Sequence, residues 1–134
     1  MTKIEELTNE QLDVLVAEEV KGWMRSITGP FWLELNGVCR YRTFPTLYNA
    51  YPVWSPSTNI AHAFQVDRPE WAWEFEEVPH WYDSDVMLKI ELWTDQNTKQ
   101  LAYLELPLDT DNKVAAYCRG RCITALKACG VEEE

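Results

Sequence analysis

Val86-Met87-Leu88-Lys89-Ile90-Glu91-Leu92-Trp93, followed after Asp95-Gln96-Asn97-Thr98 by Leu101-Ala102-Tyr103-Leu104-Glu105-Leu106, decides the fold. In the first run Val86, Leu88, Ile90 and Leu92 alternate with Lys89, Glu91 and Trp93. In the second, Ala102, Leu104 and Leu106 alternate with Leu101, Tyr103 and Glu105. A period of two is the mark of a strand with one buried face. The polar tetrapeptide between the runs makes a turn, so they pair as an antiparallel hairpin. Upstream, Trp71, Trp73 and Phe75 alternate with Ala72, Glu74 and Glu76, and this strand is the expected neighbour of the hairpin.

The flanking segments read as helices. Thr8 and Gln11 form a capping box ahead of Leu12, Val16, Val20 and Trp23, which predicts a helix from about Asn9 to Met24 with Glu10, Asp13 and Lys21 on its polar side. Thr28-Gly29-Pro30 stops it, and Phe31 to Arg42 reads as a small hairpin across Asn36-Gly37. Thr43 to Ser55 is a loop holding Phe44, Tyr48, Tyr51 and Trp54. A second helix is expected from Thr58 to Asp67, ending before Pro69, with Ile60, Ala63 and Phe64 facing inward and His62 on a partly exposed side. The final helix, Lys113 to Cys129, carries Val114, Ala115, Cys118, Cys122, Ala125, Leu126 and Cys129 on one stripe and ends at Gly130. The order predicts an α+β domain, an antiparallel sheet of three or more strands covered by three helices, over residues 1–131 with an acidic tail at 132–134.

Composition narrows the function. With 134 residues, 46% of them hydrophobic, and seven Trp, the chain can bury a core as one domain. A formal net charge of -10 argues against nucleic acid as a partner, because phosphate would be repelled. No apolar run is long enough for a membrane span and the first ten residues do not resemble a signal peptide, so a cytoplasmic location in the host cell, away from the membrane, is expected. Cys39, Cys118, Cys122 and Cys129 lack zinc-site spacing and read as buried thiols.

Catalytic patterns are missing from the sequence. His62 and His80 are its two histidines, and neither stands in a nucleophile–base–carboxylate arrangement. Asp83 and Asp85 with Glu74, Glu76 and Glu77 do not have the spacing of a calcium loop, and no phosphate-binding glycine motif occurs. The expectation is a protein that is not an enzyme and has no metal or cofactor.

Binding has more to support it. No acidic residue lies between Leu35 and Val66 or between Asn112 and Val131, yet these windows hold Arg40, Arg42, Lys113, Arg119, Arg121 and Lys127. If the windows meet, they offer a locally positive place on a negative protein. Arg40 and Arg42, two apart in an extended segment, would share a side and grip an anion. Tyr48, Tyr51 and Trp54 could stack on a base or anchor a protein. Ser57, Thr58 and Asn59 mark a helix start, which is either simply a capped end or a source of N–H donors for an anion. Arg119 would add charge from the second window.

Three stretches also resemble a known family. Leu12-Asp13-Val14-Leu15-Val16-Ala17-Glu18-Glu19-Val20 with Gly22-Trp23, Pro56-Ser57-Thr58-Asn59-Ile60-Ala61-His62-Ala63-Phe64, and Arg119 to Gly130 are similar to the phage ABA sandwich domain family. Asn59 stands where that family usually has Asp. The resemblance implies an α-β-α sandwich encoded by a phage. By analogy with small phage proteins, it suggests counter-defence by binding or sequestering a small anionic, nucleotide-type ligand. The alternative is a protein-interaction module that blocks a host protein through its acidic surface or aromatic loop. The oligomeric state stays open, a homo-oligomer included.

Overall fold

The three alternating runs become three nine-residue strands in a computed structural model that describes residues 4–26, 29–35, 37–43, 52–79, 86–94, 99–108 and 112–131. The strands are β4 (Trp71–Pro79), β5 (Val86–Thr94) and β6 (Gln100–Leu108), preceded by β1 (Met24–Arg25), β2 (Phe31–Leu33) and β3 (Cys39–Arg42). The helices are α1 (Asn9–Leu15), α2 (Ile60–Ala63) and α3 (Lys113–Ala128). The fold is α+β, with two three-stranded antiparallel sheets in the orders β1-β2-β3 and β4-β5-β6. The tail at 132–134, Tyr48, Tyr51, His80, Asp83 and Asp85 lie outside the described residues.

Register explains why the large sheet has two unlike faces. Trp73 is opposite Leu92 and Phe75 opposite Ile90, while Ile90 is opposite Leu104 and Leu88 opposite Leu106. Paired residues share a face, so this set forms one apolar surface, which α3 covers. Gly120 of α3 lies so close that a Cβ there would be 2.5 Å from the Ile90 Cδ1. Glu74, Glu76, Tyr103 and Glu105 belong to the opposite face and are exposed.

Helix one is shorter than its hydrophobic period suggests. α1 runs into a π-helical turn over Val16–Val20, and Gly22 at φ +73° then reverses the chain into β1. Gly22 terminates the helix, because the left-handed region suits glycine. Asp13, expected on the polar side, is buried.

α2 also departs from expectation. Asn59 is extended and its Oδ1 accepts from the N–H groups of Ala61 and His62, so the helix begins at Ile60 and not at Thr58. That phase turns His62 and Ala63 inward and leaves Ile60 and Phe64 41% and 67% exposed. His62 is held by the Ser55 N–H on its Nδ1 at 3.0 Å and by stacking on Trp54, with ring centroids 5.3 Å apart.

In α3 the predicted stripe is too narrow. Every residue from Gly120 to Leu126 is buried, whereas Val114 in the first turn is half exposed. The helix is packed by the sheet, α1 and α2 together. Gly130 at φ +86° closes it, with the Gly130 and Val131 N–H groups donating to the Lys127 and Leu126 carbonyls.

Candidate functional site

Most of the residues expected to grip a ligand are used by the protein itself. A β-bulge between Trp32 and Leu33 shifts the register opposite Arg40, which breaks the alternation along β3. Arg40 is therefore exposed and bonded to Glu34 at 3.1 Å, whereas Arg42 is buried; the two do not form a clamp. The backbone of Arg42 bridges to the next segment, its N–H donating to the Pro52 carbonyl and its carbonyl accepting from Trp54.

Trp54 packs in the interior instead of standing ready to stack on a ligand. It lies edge-on to Trp23 and Tyr41, with centroids 4.7 and 4.9 Å away, and flat against His62. The Ser57 N–H, expected to meet an anion, donates to the Asp13 carboxylate at 2.9 Å. The Ser57 hydroxyl donates to the Asn9 carbonyl. Asn59 caps α2, and the Thr58 hydroxyl, in an exposed turn, donates to the Ser55 carbonyl. The helix start thus has an internal carboxylate where a ligand was expected.

Arg119 is a strut. Its guanidinium donates to the Asn9 Oδ1 at 2.8 Å and to the Glu5 and Leu7 carbonyls at 3.0 and 2.6 Å, fastening the first turn of chain to α3. Lys127 pairs with Glu5, and Lys113 with Glu77 at 3.3 Å.

The two acid-free windows do meet, and Arg121 is where they join. Its Nε donates to the Val66 carbonyl at 3.1 Å, tying α3 to the end of α2. The guanidinium lies 4.3 Å from the Trp73 ring centre and 5.9 Å from those of Phe64 and Phe75. Arg121 is 9% exposed and makes no ion pair among the described residues. Asp67 raises its pKa through space, but burial acts more strongly and draws it below the usual arginine range. The Asp67 Oδ1 itself accepts from the Trp73 indole at 3.0 Å and the Arg68 N–H at 2.8 Å.

A cleft of about 200 Å³ opens beside Arg121, walled by Ile60, Ala63, Phe64, Phe75 and Tyr117. Buried charges are almost always matched by an opposite charge, since aromatic faces recover only part of the lost hydration. An arginine held on one edge by a carbonyl and on its faces by rings keeps its outer nitrogens for an acceptor. The cleft itself is walled almost wholly by apolar atoms, with an exposed ring, Phe64, beside it.

The sequence offered one signal for this residue that a charge count overlooks. Arg121 stands close to Cys118, Cys122, Ile123, Ala125 and Leu126, and the positions three and four away hold Cys118, Tyr117, Thr124 and Ala125, none of them acidic. Such an arginine has no partner on its own helix.

Among the described residues no group of three His, Cys, Asp or Glu is placed to hold a metal, and no helix is long and apolar enough to cross a membrane. Ser55 and His62 are adjacent: the imidazole Nδ1 accepts the Ser55 backbone N–H at 3.0 Å and lies 3.5 Å from the Ser55 hydroxyl oxygen, which is itself 3.3 Å from the Val53 carbonyl. Compared with family models, curated proteins and solved structures, the chain matches none.

Proposed function

We propose that this is a small phage-encoded accessory protein, related to the phage ABA sandwich domains and layered as an α-β-α sandwich, which binds a small anionic, nucleotide-type ligand without catalysing a reaction. The observation that carries this reading is the buried Arg121 guanidinium, without an ion-pair partner among the described residues, at the junction of the two acid-free windows. A phosphate on its outer nitrogens would supply the missing charge. The cleft is too small for a whole nucleotide, so the base would stack outside on Phe64.

Calorimetry and thermal-shift measurements against mononucleotides, cyclic dinucleotides and ADP-ribose test this. Arg121→Gln should weaken binding by about a hundredfold and Phe64→Ala by about tenfold, as for a central and a rim contact. Arg40→Ala should have no effect. Absence of binding by the wild-type chain at millimolar nucleotide ends the proposal.

A second reading rests on the outer face of β4-β5-β6, where Glu74, Glu76 and Glu105 are exposed beside Tyr103. An acidic sheet face of this kind would block a host protein that binds an anionic partner. Charge reversal at Glu74 and Glu76 should then abolish host-protein capture. Reversal at Glu77 should not, because Glu77 shares a face with Leu88 and bonds Lys113.

A further inference from the structure

β4 stands at the edge of its sheet, since in the order β4-β5-β6 it pairs with β5 alone. The turn before it flanks its first residues: the Trp71 N–H donates to the Arg68 carbonyl and the Trp73 indole to Asp67. From Glu74 to Val78 the side of the strand away from β5 makes no backbone hydrogen bond among the described residues. Unpaired N–H and C=O groups in a row are a template for a further strand.

The side chains along this edge sort by face. Glu74 and Glu76 lie on the outer face, where both are exposed and neither makes an ion pair among the described residues. The sheet offers them no cation: Glu91 is opposite Glu74, and Lys89, opposite Glu76, bonds Glu91 at 3.0 Å instead. On the inner face Phe75 shares with Ile60 and Phe64, 41% and 67% exposed, the walls of the apolar cleft beside Arg121. Its volume of about 200 Å³ suits a side chain better than a whole small molecule. A second copy of the chain is a poor occupant, because pairing β4 with itself would line up glutamates on two molecules that each carry a net charge of -10.

We infer that the β4 edge from Glu74 to Val78 binds an extended peptide segment in which basic and apolar residues alternate, adding it to the sheet as a fourth strand. The peptide backbone pairs with the open N–H and C=O groups of β4. Its basic side chains fall on the outer face beside Glu74 and Glu76, and an apolar one enters the cleft between Phe75 and Phe64. A period of two keeps the peptide's charges on the face away from Arg121. The inference rests on the acidic-face reading, to which it gives the chemistry of the partner.

The probe is the end-blocked peptide Thr-Lys-Val-Lys-Leu-Lys-Thr bearing a fluorescent dye, titrated with the full chain and followed by anisotropy. It should bind saturably, and a peptide of the same composition with its lysines grouped together should bind about tenfold more weakly. Glu74→Gln combined with Glu76→Gln should weaken the alternating peptide by about tenfold, and Phe64→Ala by about threefold. Strands pair through alternate backbone groups, so N-methylation at one alternate set of peptide residues should abolish binding, while the other set should leave it within about threefold. Equal binding by the two N-methylated peptides would mean that charge alone holds the segment, which overturns the inference and leaves the acidic-face reading standing. Undiminished binding by the double glutamine variant overturns both. Equal binding of the grouped and alternating peptides, or no saturation by about 1 mM protein, overturns the inference.

Discussion

The carboxylate of Asp13 accepts the backbone N–H of Ser57 at 2.9 Å, across 44 residues of sequence. This bond ties α1 to the turn ahead of α2 and occupies the donor that a ligand anion would have used. It does so at a cost, since the same contact carries a carboxylate into the interior. Burial outweighs the Ser57 hydrogen bonds and lifts the Asp13 pKa to about 6.

The sign of the resulting pH dependence follows from proton counting. Between the ordinary carboxyl value of 3.8 and about 6, the folded chain holds a proton on Asp13 that the unfolded chain has lost. The Asp13 contribution to stability therefore falls as pH rises through that window and stays low above it. Asp13→Asn keeps the acceptor and removes the charge. It should raise stability at pH 7.5 by about 2 kcal/mol and by much less at pH 4, measured by urea denaturation at the two pH values. A variant that is less stable than wild type at pH 7.5 would contradict this account.

Arg119 predicts a different outcome from Arg121. Its three bonds to Asn9, Glu5 and Leu7 fasten the start of the chain, so Arg119→Ala should destabilise by about 2–3 kcal/mol. Nucleotide affinity at the Arg121 cleft should be unchanged. Thermal denaturation and calorimetry on the same sample separate the two effects.

Gly120 marks the closest approach of α3 to the large sheet. A methyl group there would lie 2.5 Å from the Ile90 Cδ1 and 3.2 Å from the Leu106 Cδ2, and Ile90 is fully buried. Alanine would gain about 1 kcal/mol in helix propensity but force the core apart, for a net loss of about 1–3 kcal/mol. Equilibrium unfolding of Gly120→Ala measures it, and a stabilised variant would show that Ile90 can move aside.

The strands were legible because alternation is a local signal: Leu88, Ile90 and Leu92 report one buried face whatever packs on it. The capping box at Thr8 and the glycine stop at Gly130 were legible for the same reason, each being settled within four residues. What failed was long-range. The inward turn of His62 depends on Trp54 and on the Ser55 N–H, and the separation of Arg40 from Arg42 depends on a bulge opposite them. Whether the two acid-free windows meet was left open by the sequence; they meet at Arg121, a residue that lay beside the stripe read as core and was not singled out. Charge patterning located the region, while only packing could choose among its arginines.

His62 supplies the opposing pH effect to Asp13. Burial lowers its pKa below the usual value of 6.5, so the folded chain binds this proton less readily than the unfolded chain does. Its contribution to stability is complete above 6.5 and is lost as pH falls below it. In the wild type the two residues offset each other near pH 5–6, and the stability profile should be flatter there than either group alone would make it. His62→Gln should leave the Asp13 effect exposed, giving a stability that rises as pH is lowered from about 7 to 4. Asp13→Asn should leave the His62 effect exposed and reverse that slope. Parallel profiles in the two variants would mean that neither residue governs the acid response, whereas opposite slopes assign it to this pair on the two sides of the Ser55–Ser57 turn.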